Sequence, residues 1–322
     1  MKIGVITNPG SQKNKTGFAE LARLLDGLAD VDHRILDKIT EIPDILRDFA
    51  RQEVGVVAIA GGDGTVQAVL TELYGQRPFE TPPMIVVVPR GMTNMIAADV
   101  GLRRGGLSGL ERLIVAARRG GLDEACTTRR ILRLENALNR PPQYGMFFGG
   151  AGIPRAIDTC RNNVHPYKFK ADLAAAATLA GILGGWLLGR GKGGKESGGI
   201  FYGDRITLTI DEQSIGTMEC LIILATTLDK LILGSRPFWG GDGQMRFTAI
   251  AHPPERLLRY ARRILYGSED RQLPAANYRS WAPGKVALTM ECPFTLDGEI
   301  FEPTPGRQIV LTAADEARFV KL

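Results

Sequence analysis

Two stretches of this chain repeat the same four letters, and the first of them has the composition of a site. In AIAGGDGTVQAVL, residues 58 to 70, an acid stands inside a glycine-rich turn between a fully apolar run and a helical pattern. Gly61, Gly62 and Gly64 let backbone N–H groups approach a polyphosphate, and a helix N-terminus at Thr65 adds its positive end. An acid in that turn repels phosphate unless a cation lies between them, so Asp63 points to a Mg²⁺-nucleotide, with its carboxylate or a water on the metal. The plainer alternative makes GGDGT a helix start capped by Asp63 or Thr65. The second GGDG, residues 240 to 243, leads into QMRFTAIA, a strand pattern, and reads as a coincidence of letters.

Other nucleotide signatures are excluded by position or composition. A dinucleotide fingerprint requires G-x-G-x-x-G after the first strand, whereas here the glycines follow the third strand and lack the third glycine. No G-K-[ST] loop occurs. The four cysteines, Cys126, Cys160, Cys220 and Cys292, and the three histidines, His33, His165 and His252, are scattered, which argues against a zinc site or a disulfide framework and fits a reducing, cytoplasmic setting. The net charge of +5 comes from arginines in pairs rather than one basic block, which suits anionic small molecules or headgroups and not a nucleic acid.

The elements that position the turn follow from periodicity. KIGVITN, HRILD, VGVVAIA and MIVVVP read as strands, separated by the helical patterns KTGFAELARLLDGL and EIPDILRDFARQ and, after the glycine turn, TVQAVLTELY; MIAADVGL closes the series. Continuous apolar strands alternating with helices predict an α/β N-terminal domain with a parallel three-layer sheet, its ligand at the carboxyl ends of the strands. Beyond residue 122 the rhythm changes to short strands: the hairpin ITLTIDEQSIGTMECLIILATT, then MRFTAIA, YRSWA, KVALTM and PFTLDGEIFEP. These predict a C-terminal antiparallel β-sandwich domain interrupted by one helix, PPERLLRYARRIL. At 322 residues the chain has room for both, and 44% hydrophobic with 23% charged residues is the composition of a soluble globular chain. The uncharged stretch 173–189, LAAAATLAGILGGWLLG, lies at the lower limit of the roughly 17–25 residues needed to span a bilayer and is rich in glycine, so it reads as a core helix rather than a transmembrane span.

Five motifs in order over most of the chain give a resemblance. ITNPGSQKNK, GGDGTV, PRGMTNMIA, RPFWGGDGQMRF and FTLDGE resemble the diacylglycerol kinase catalytic domain family, which includes sphingosine kinases and bacterial lipid kinases. The resemblance implies a nucleotide-binding α/β domain over 1–122, a β-rich lipid-acceptor domain over 123–306, and a final segment 307–322 that returns to the first. It implies ATP and Mg²⁺ as cofactors and transfer of the γ-phosphate to a hydroxyl of a lipid such as diacylglycerol. The enzyme would be cytoplasmic, attached peripherally to the inner face of a membrane. Gly61, Gly62, Asp63, Gly64 and Thr65 would bind phosphates and Mg²⁺, flanked by Asn8, Gly91, Thr93 and Asn94, with Thr40 near the nucleotide; its plainer role is to cap the helix containing Pro43.

By the same resemblance, Glu299 is the general base that accepts the proton of the attacking alcohol, and Asp297 stands beside it in the catalytic set. In an extended backbone the two would share a face, but Gly298 suggests a tight turn. Asp242, with carbonyls of Trp239 and Gln244, would form a structural metal site, or else serve as a turn acid before a strand. Two positions depart from the pattern: Met92 stands where the family has Thr or Ser, and Met95 where it often has Asp. They keep open a binding protein that has lost catalysis. NAD kinase shares the GGDG turn but is disfavoured by the terminal DGE.

Overall fold

The computed structural model describes residues 1–11, 14–102, 107–164 and 202–322; the stretch 173–189 lies outside them. The chain divides into two compact units, Met1–Ile131 with Asp315–Leu322, and Leu132–Ala314.

In the first unit, β1 (Ile3–Thr7), β2 (Val31–Ile35), β3 (Val56–Gly61) and β4 (Met84–Pro89) form a parallel sheet in the order β2-β1-β3-β4. Their starts are in register, Ile3 opposite both Val31 and Val56, and Val56 opposite Met84. Every residue of β1 and β3 is buried, which is why these strands read as unbroken apolar runs rather than alternating ones. One face packs on α1 (Asn14–Leu25) and α5 (Leu107–Arg119), whose Leu21, Leu25, Leu110 and Leu113 share a core with Val5, Ala58 and Val86. The other face carries α2 (Ile42–Arg51), whose Phe49 ring lies on Gly4 so closely that a Cβ there would be 2.4 Å from it. α3 (Asp63–Gly75) and the short α4 (Met95–Val100) complete the unit. The last strand of the chain, β15 (Ile309–Val320), adds in parallel beside β4 through Phe319 opposite Ile85, and the Tyr74 hydroxyl donates to the Glu316 carbonyl at 3.0 Å.

In the second unit the pairing is antiparallel. The predicted hairpin is β8 (Asp204–Ile210) and β9 (Gln213–Thr226), the latter long enough to pair also with β7 (Phe147–Ala151) and β10 (Arg246–Ala251). β10 pairs in turn with β11 (Tyr278–Trp281), and β8 with β12 (Lys285–Thr289), which pairs with the first residues of β15. The hairpin β13 (Phe294–Leu296) and β14 (Glu299–Phe301) attaches to β7. One apolar core, including Phe148, Ile206, Ile223, Phe247, Val286 and Leu311, joins these strands.

Several elements escaped the sequence reading. β5 (Cys126–Glu135) carries four arginine and threonine letters in its first half, and β6 (Gln143–Gly145) is only three residues long. β7 contains Gly149 and Gly150, which weaken a strand signal but are required here: a Cβ on either would lie within 2.8 Å of Ile153 or Ile223. α6 (Gly152–Val164) begins at once after it. The helix expected from Pro253 begins only at α7 (Leu257–Tyr266), because Arg256 before it takes a left-handed backbone, φ 46°.

Candidate active site

The strand order 2-1-3-4 reverses direction of winding between β1 and β3, so the crevice at their carboxyl ends is the topological switch point at which open α/β sheets bind ligands. Three of the motifs converge on that end. Asn8 follows β1; its Nδ2 donates to Thr65 Oγ1 at 2.9 Å, and its Oδ1 accepts the Gly10 N–H at 2.9 Å, forming an Asx turn. After β3, Gly62 faces Gly91 of the segment after β4. A Cβ on Gly91 would lie 2.5 Å from the Gly62 Cα, so Gly91 has no room for a side chain, and one on Gly62 would press the Gly91 Cα at 3.2 Å. Asn94 closes its own turn, accepting the Gly91 N–H at 2.7 Å and donating to the Gly91 carbonyl at 2.8 Å.

Helix α3 starts at Asp63, two residues earlier than Thr65, and its cap is Gly62 in extended conformation with no side-chain capping bond. Neither Asp63 nor Thr65 caps it: Thr65 is buried and bonded to Asn8, and Asp63 turns across to another helix. The two oxygens of Asp63 accept the Met95 N–H at 3.0 Å and the Ile96 N–H at 3.1 Å. Asp63 thus caps α4, whose own N-cap residue Asn94 is left-handed and makes no side-chain cap. Burial pushes the Asp63 carboxyl upward from its ordinary value, against the pull of the two N–H groups. No side chain caps the first turn of α3, so its positive dipole end, directly after β3, is left without a side-chain acceptor.

Thr93 is exposed and Met92 partly so, while Met95 is buried at the start of α4. Thr40 is exposed in the single 3₁₀ turn Ile39–Glu41 after β2. It does not cap the following helix: Glu41 holds the N-cap position, with no side-chain bond, and Pro43 lies in the first turn as expected.

In the second unit, Asp297 and Glu299 have opposite surroundings. Asp297 and Gly298 both have positive φ, 49° and 89°, as a two-residue type I′ hairpin requires. The Asp297 side chain is 2% exposed and accepts the N–H groups of Met146 and Phe147 at 2.9 and 2.8 Å. The Met146 carbonyl in turn accepts the Thr226 hydroxyl at 2.8 Å and the Thr227 N–H at 3.1 Å. Asp297 is therefore a buried post that fixes the hairpin on β7, while Glu299, at the first position of β14, projects an exposed carboxylate.

The second GGDG has a packing explanation for its glycines. A Cβ on Gly240 would be 2.4 Å from Trp281 backbone, and one on Gly243 would be 2.0 Å from the Ala282 carbonyl oxygen, so the loop lies flat on the end of β11. Asp242 and Gln244 are exposed in that loop, and the Trp239 N–H donates to Ser280 Oγ at 3.0 Å. Among the described residues no cluster of three or more His, Cys, Asp or Glu side chains could hold a metal. A divalent cation at either acid would accordingly rely on carbonyl, water or phosphate oxygens, the ligands that Mg²⁺ accepts.

Two residues of the first unit were not anticipated. Asn14 is fully buried at the start of α1, where its Nδ2 donates to the carbonyls of Asn8, at 2.7 Å, and Ala60, at 3.0 Å. Arg90, between β4 and Gly91, is 9% exposed. An arginine in a turn normally reads as solvated, so only its burial marks it.

Residues 2–121 match the family model described as the diacylglycerol kinase catalytic domain. Among solved structures, a diacylglycerol kinase from Bacillus anthracis str. Sterne is similar with a TM-score of 0.59 at 14% identity, over 99% of this chain and 96% of that one. Two further chains from the same organism, provisionally named for the same activity, each give a TM-score of 0.64. They are 14% and 16% identical, over 99% and 100% of this chain and 96% and 97% of theirs. No curated protein sequence matches this chain. The chain thus has the two-domain architecture of these bacterial chains, and its residues 2–121 match the diacylglycerol kinase catalytic domain family.

Proposed function

We propose that this chain is an ATP-dependent lipid kinase that transfers the γ-phosphate of ATP to a hydroxyl of a lipid such as diacylglycerol. The observation that carries this reading is the Gly62–Gly91 contact, which joins two motifs of the matched segment 2–121 at the carboxyl ends of β3 and β4. In this reading the first turn of α3, with Gly61, Gly62, Gly64 and Thr65, receives the phosphate chain. Asn8, Gly91, Thr93 and Asn94 border it, and Thr40 lies toward the nucleotide. Phosphoryl transfer relies on positioning and charge neutralisation, and Mg²⁺ bound with the nucleotide supplies part of the latter. Asp63 keeps α4 docked against the turn, and its carboxylate, directly or through a water, would help to hold the Mg²⁺ that comes with the nucleotide. Glu299 accepts the proton of the lipid hydroxyl as its oxygen bonds to the γ-phosphorus and ADP leaves. Asp297 acts through the hairpin, holding Glu299 in place, and Asp242 with the Trp239 and Gln244 carbonyls would hold a structural cation.

The acceptor would be met at a membrane surface. No helix among the described residues is long and apolar enough to cross a membrane. Helix α7 exposes Arg259, Arg262, Arg263 and Tyr266, spaced i, i+3, i+4, i+7 on one stripe, a pattern that suits peripheral docking on anionic headgroups.

A second reading, a nucleotide- or lipid-binding protein without turnover, is favoured by Met92 and by the burial of Met95. The deciding experiment is Mg²⁺-dependent transfer of labelled γ-phosphate to a panel of hydroxyl lipids in mixed micelles, parent against Glu299→Gln. Transfer abolished in the variant supports the kinase; ATP binding without transfer to any lipid supports the second reading.

A further inference from the structure

Arg90 is tied into the crevice by its backbone, whose N–H donates to the Gly61 carbonyl at 3.0 Å. Its side chain has nothing comparable. It makes no hydrogen bond or ion pair with any described residue, and its Nε is buried without a partner. The guanidinium reaches the beginning of α1, where a Cβ on Gly17 would lie 3.2 Å from Nη1. That first turn contains no acid. Burial pushes the Arg90 guanidinium below its ordinary range, and the one acid that acts on it, Glu20, is exposed on α1. The carbonyls of Asn8 and Ala60 at this end of the sheet are occupied by the Asn14 amide.

A full positive charge is therefore held largely out of water beside the first turns of a twelve-residue helix, whose N-terminal end carries positive partial charge of its own. With Glu20 acting only from an exposed position and no hydrogen bond to the guanidinium among the described residues, the buried charge is incompletely compensated, and an anion would complete the arrangement. Guanidinium is suited to phosphate because its planar fork matches two phosphate oxygens at once.

We infer that Arg90 is a phosphate-binding residue of this site, its guanidinium and the start of α1 together holding an oxyanion of the nucleotide's phosphate chain. This rests on the nucleotide reading of the same crevice. It also places a cation in the segment whose Met92 and Met95 lack the hydroxyl and carboxylate that the resemblance leads one to expect.

The test compares the full chain with Arg90→Met and Arg90→Lys, by thermal melting and titration calorimetry with ATP, tripolyphosphate, inorganic phosphate and adenosine. The parent is expected to be stabilised by ATP and tripolyphosphate but not by adenosine. Arg90→Met without ligand is expected to melt no lower than the parent, since an unpaired buried charge is gone, and to bind ATP and tripolyphosphate at least tenfold more weakly. Arg90→Lys, with one point charge in place of the fork, should fall between them. Arg90-dependent binding of inorganic phosphate or tripolyphosphate with ATP no tighter would support the anion site and overturn its nucleotide assignment. ATP binding unchanged in Arg90→Met, or a lower melting temperature in that variant with phosphate affinity retained, would overturn the inference and leave the nucleotide reading standing. A parent that binds none of these anions would overturn it as well.

Discussion

Gly62 and Gly91 meet backbone to backbone: a methyl group on Gly91 would stand 2.5 Å from the Gly62 Cα, and one on Gly62 would stand 3.2 Å from the Gly91 Cα. The turn after β3 and the turn after β4 are thus one structural object, and its glycines are fixed by contact rather than by loop flexibility.

Gly91→Ala should consequently force the two turns apart. Overpacking of this kind costs about 1–3 kcal/mol, read as a lower denaturation midpoint, and should weaken ATP binding by more than the stability loss explains. Gly121→Ala, where an added Cβ meets nothing within 4 Å, is the control and should leave both unchanged.

Asp63→Ala removes both acceptors for the Met95 and Ile96 N–H groups, and leaving such donors unsatisfied costs about 1–3 kcal/mol. Hydrogen exchange at those two amides should accelerate first. The folded-state pKa of Asp63 is raised, so the folded state binds the proton more tightly than the unfolded chain does. Stability should then fall as pH rises from the ordinary carboxylate value near 3.8 through the raised folded value. Asp63→Asn should flatten that limb of the stability–pH curve; a curve superimposable on the parent's would contradict the assignment.

Asp297 and Glu299 should separate cleanly in a paired experiment. Asp297→Ala strands two buried N–H groups and is expected to lower the melting temperature, with activity falling along with the folded fraction. Glu299→Gln replaces an exposed carboxylate with its isostere, so its melting temperature should match the parent's while phosphate transfer drops by 10²-fold or more.

Replacement of Arg259, Arg262 and Arg263 together by Ala should weaken binding to phosphatidylglycerol-containing vesicles. At about 1 kcal/mol per basic residue near the surface, the loss is on the order of 10²-fold at low salt, shrinking as salt is raised. Neutral phosphatidylcholine vesicles should bind parent and variant alike in a co-sedimentation assay.

Much of the frame was legible in the sequence because its signals are local. The unbroken apolar runs at 3–7, 56–61 and 84–89 exist because those strands are covered on both faces, and the alternation in the β8–β9 hairpin exists because its faces differ. Motif order located the crevice, since each motif follows a strand and parallel strands present their carboxyl ends together. Elements whose glycines or charges serve distant partners, such as β7 with Gly150 packed under Ile223, were not legible.

The surroundings and hydrogen-bond partners of individual site residues were decided by tertiary structure. Asp63 looked like the cap of its own helix, yet its partners lie 32 and 33 residues away at the start of α4. Thr40 looked like a cap and is exposed in a 3₁₀ turn, while Asp297 looked like the companion of a catalytic acid and is buried against Met146 and Phe147. Arg90 carried no signal, because the sequence records its charge but not its burial or the missing partner of its Nε. The sequence by itself determined the strands and helices whose patterns are local, those of the first sheet and the β8–β9 hairpin among them, and which turns carry glycine, since those depend on neighbours a few residues away. Which acids are structural, which carboxylate is exposed and where a positive charge is buried depend on donors and acceptors brought together from distant segments, and only the folded chain decides that.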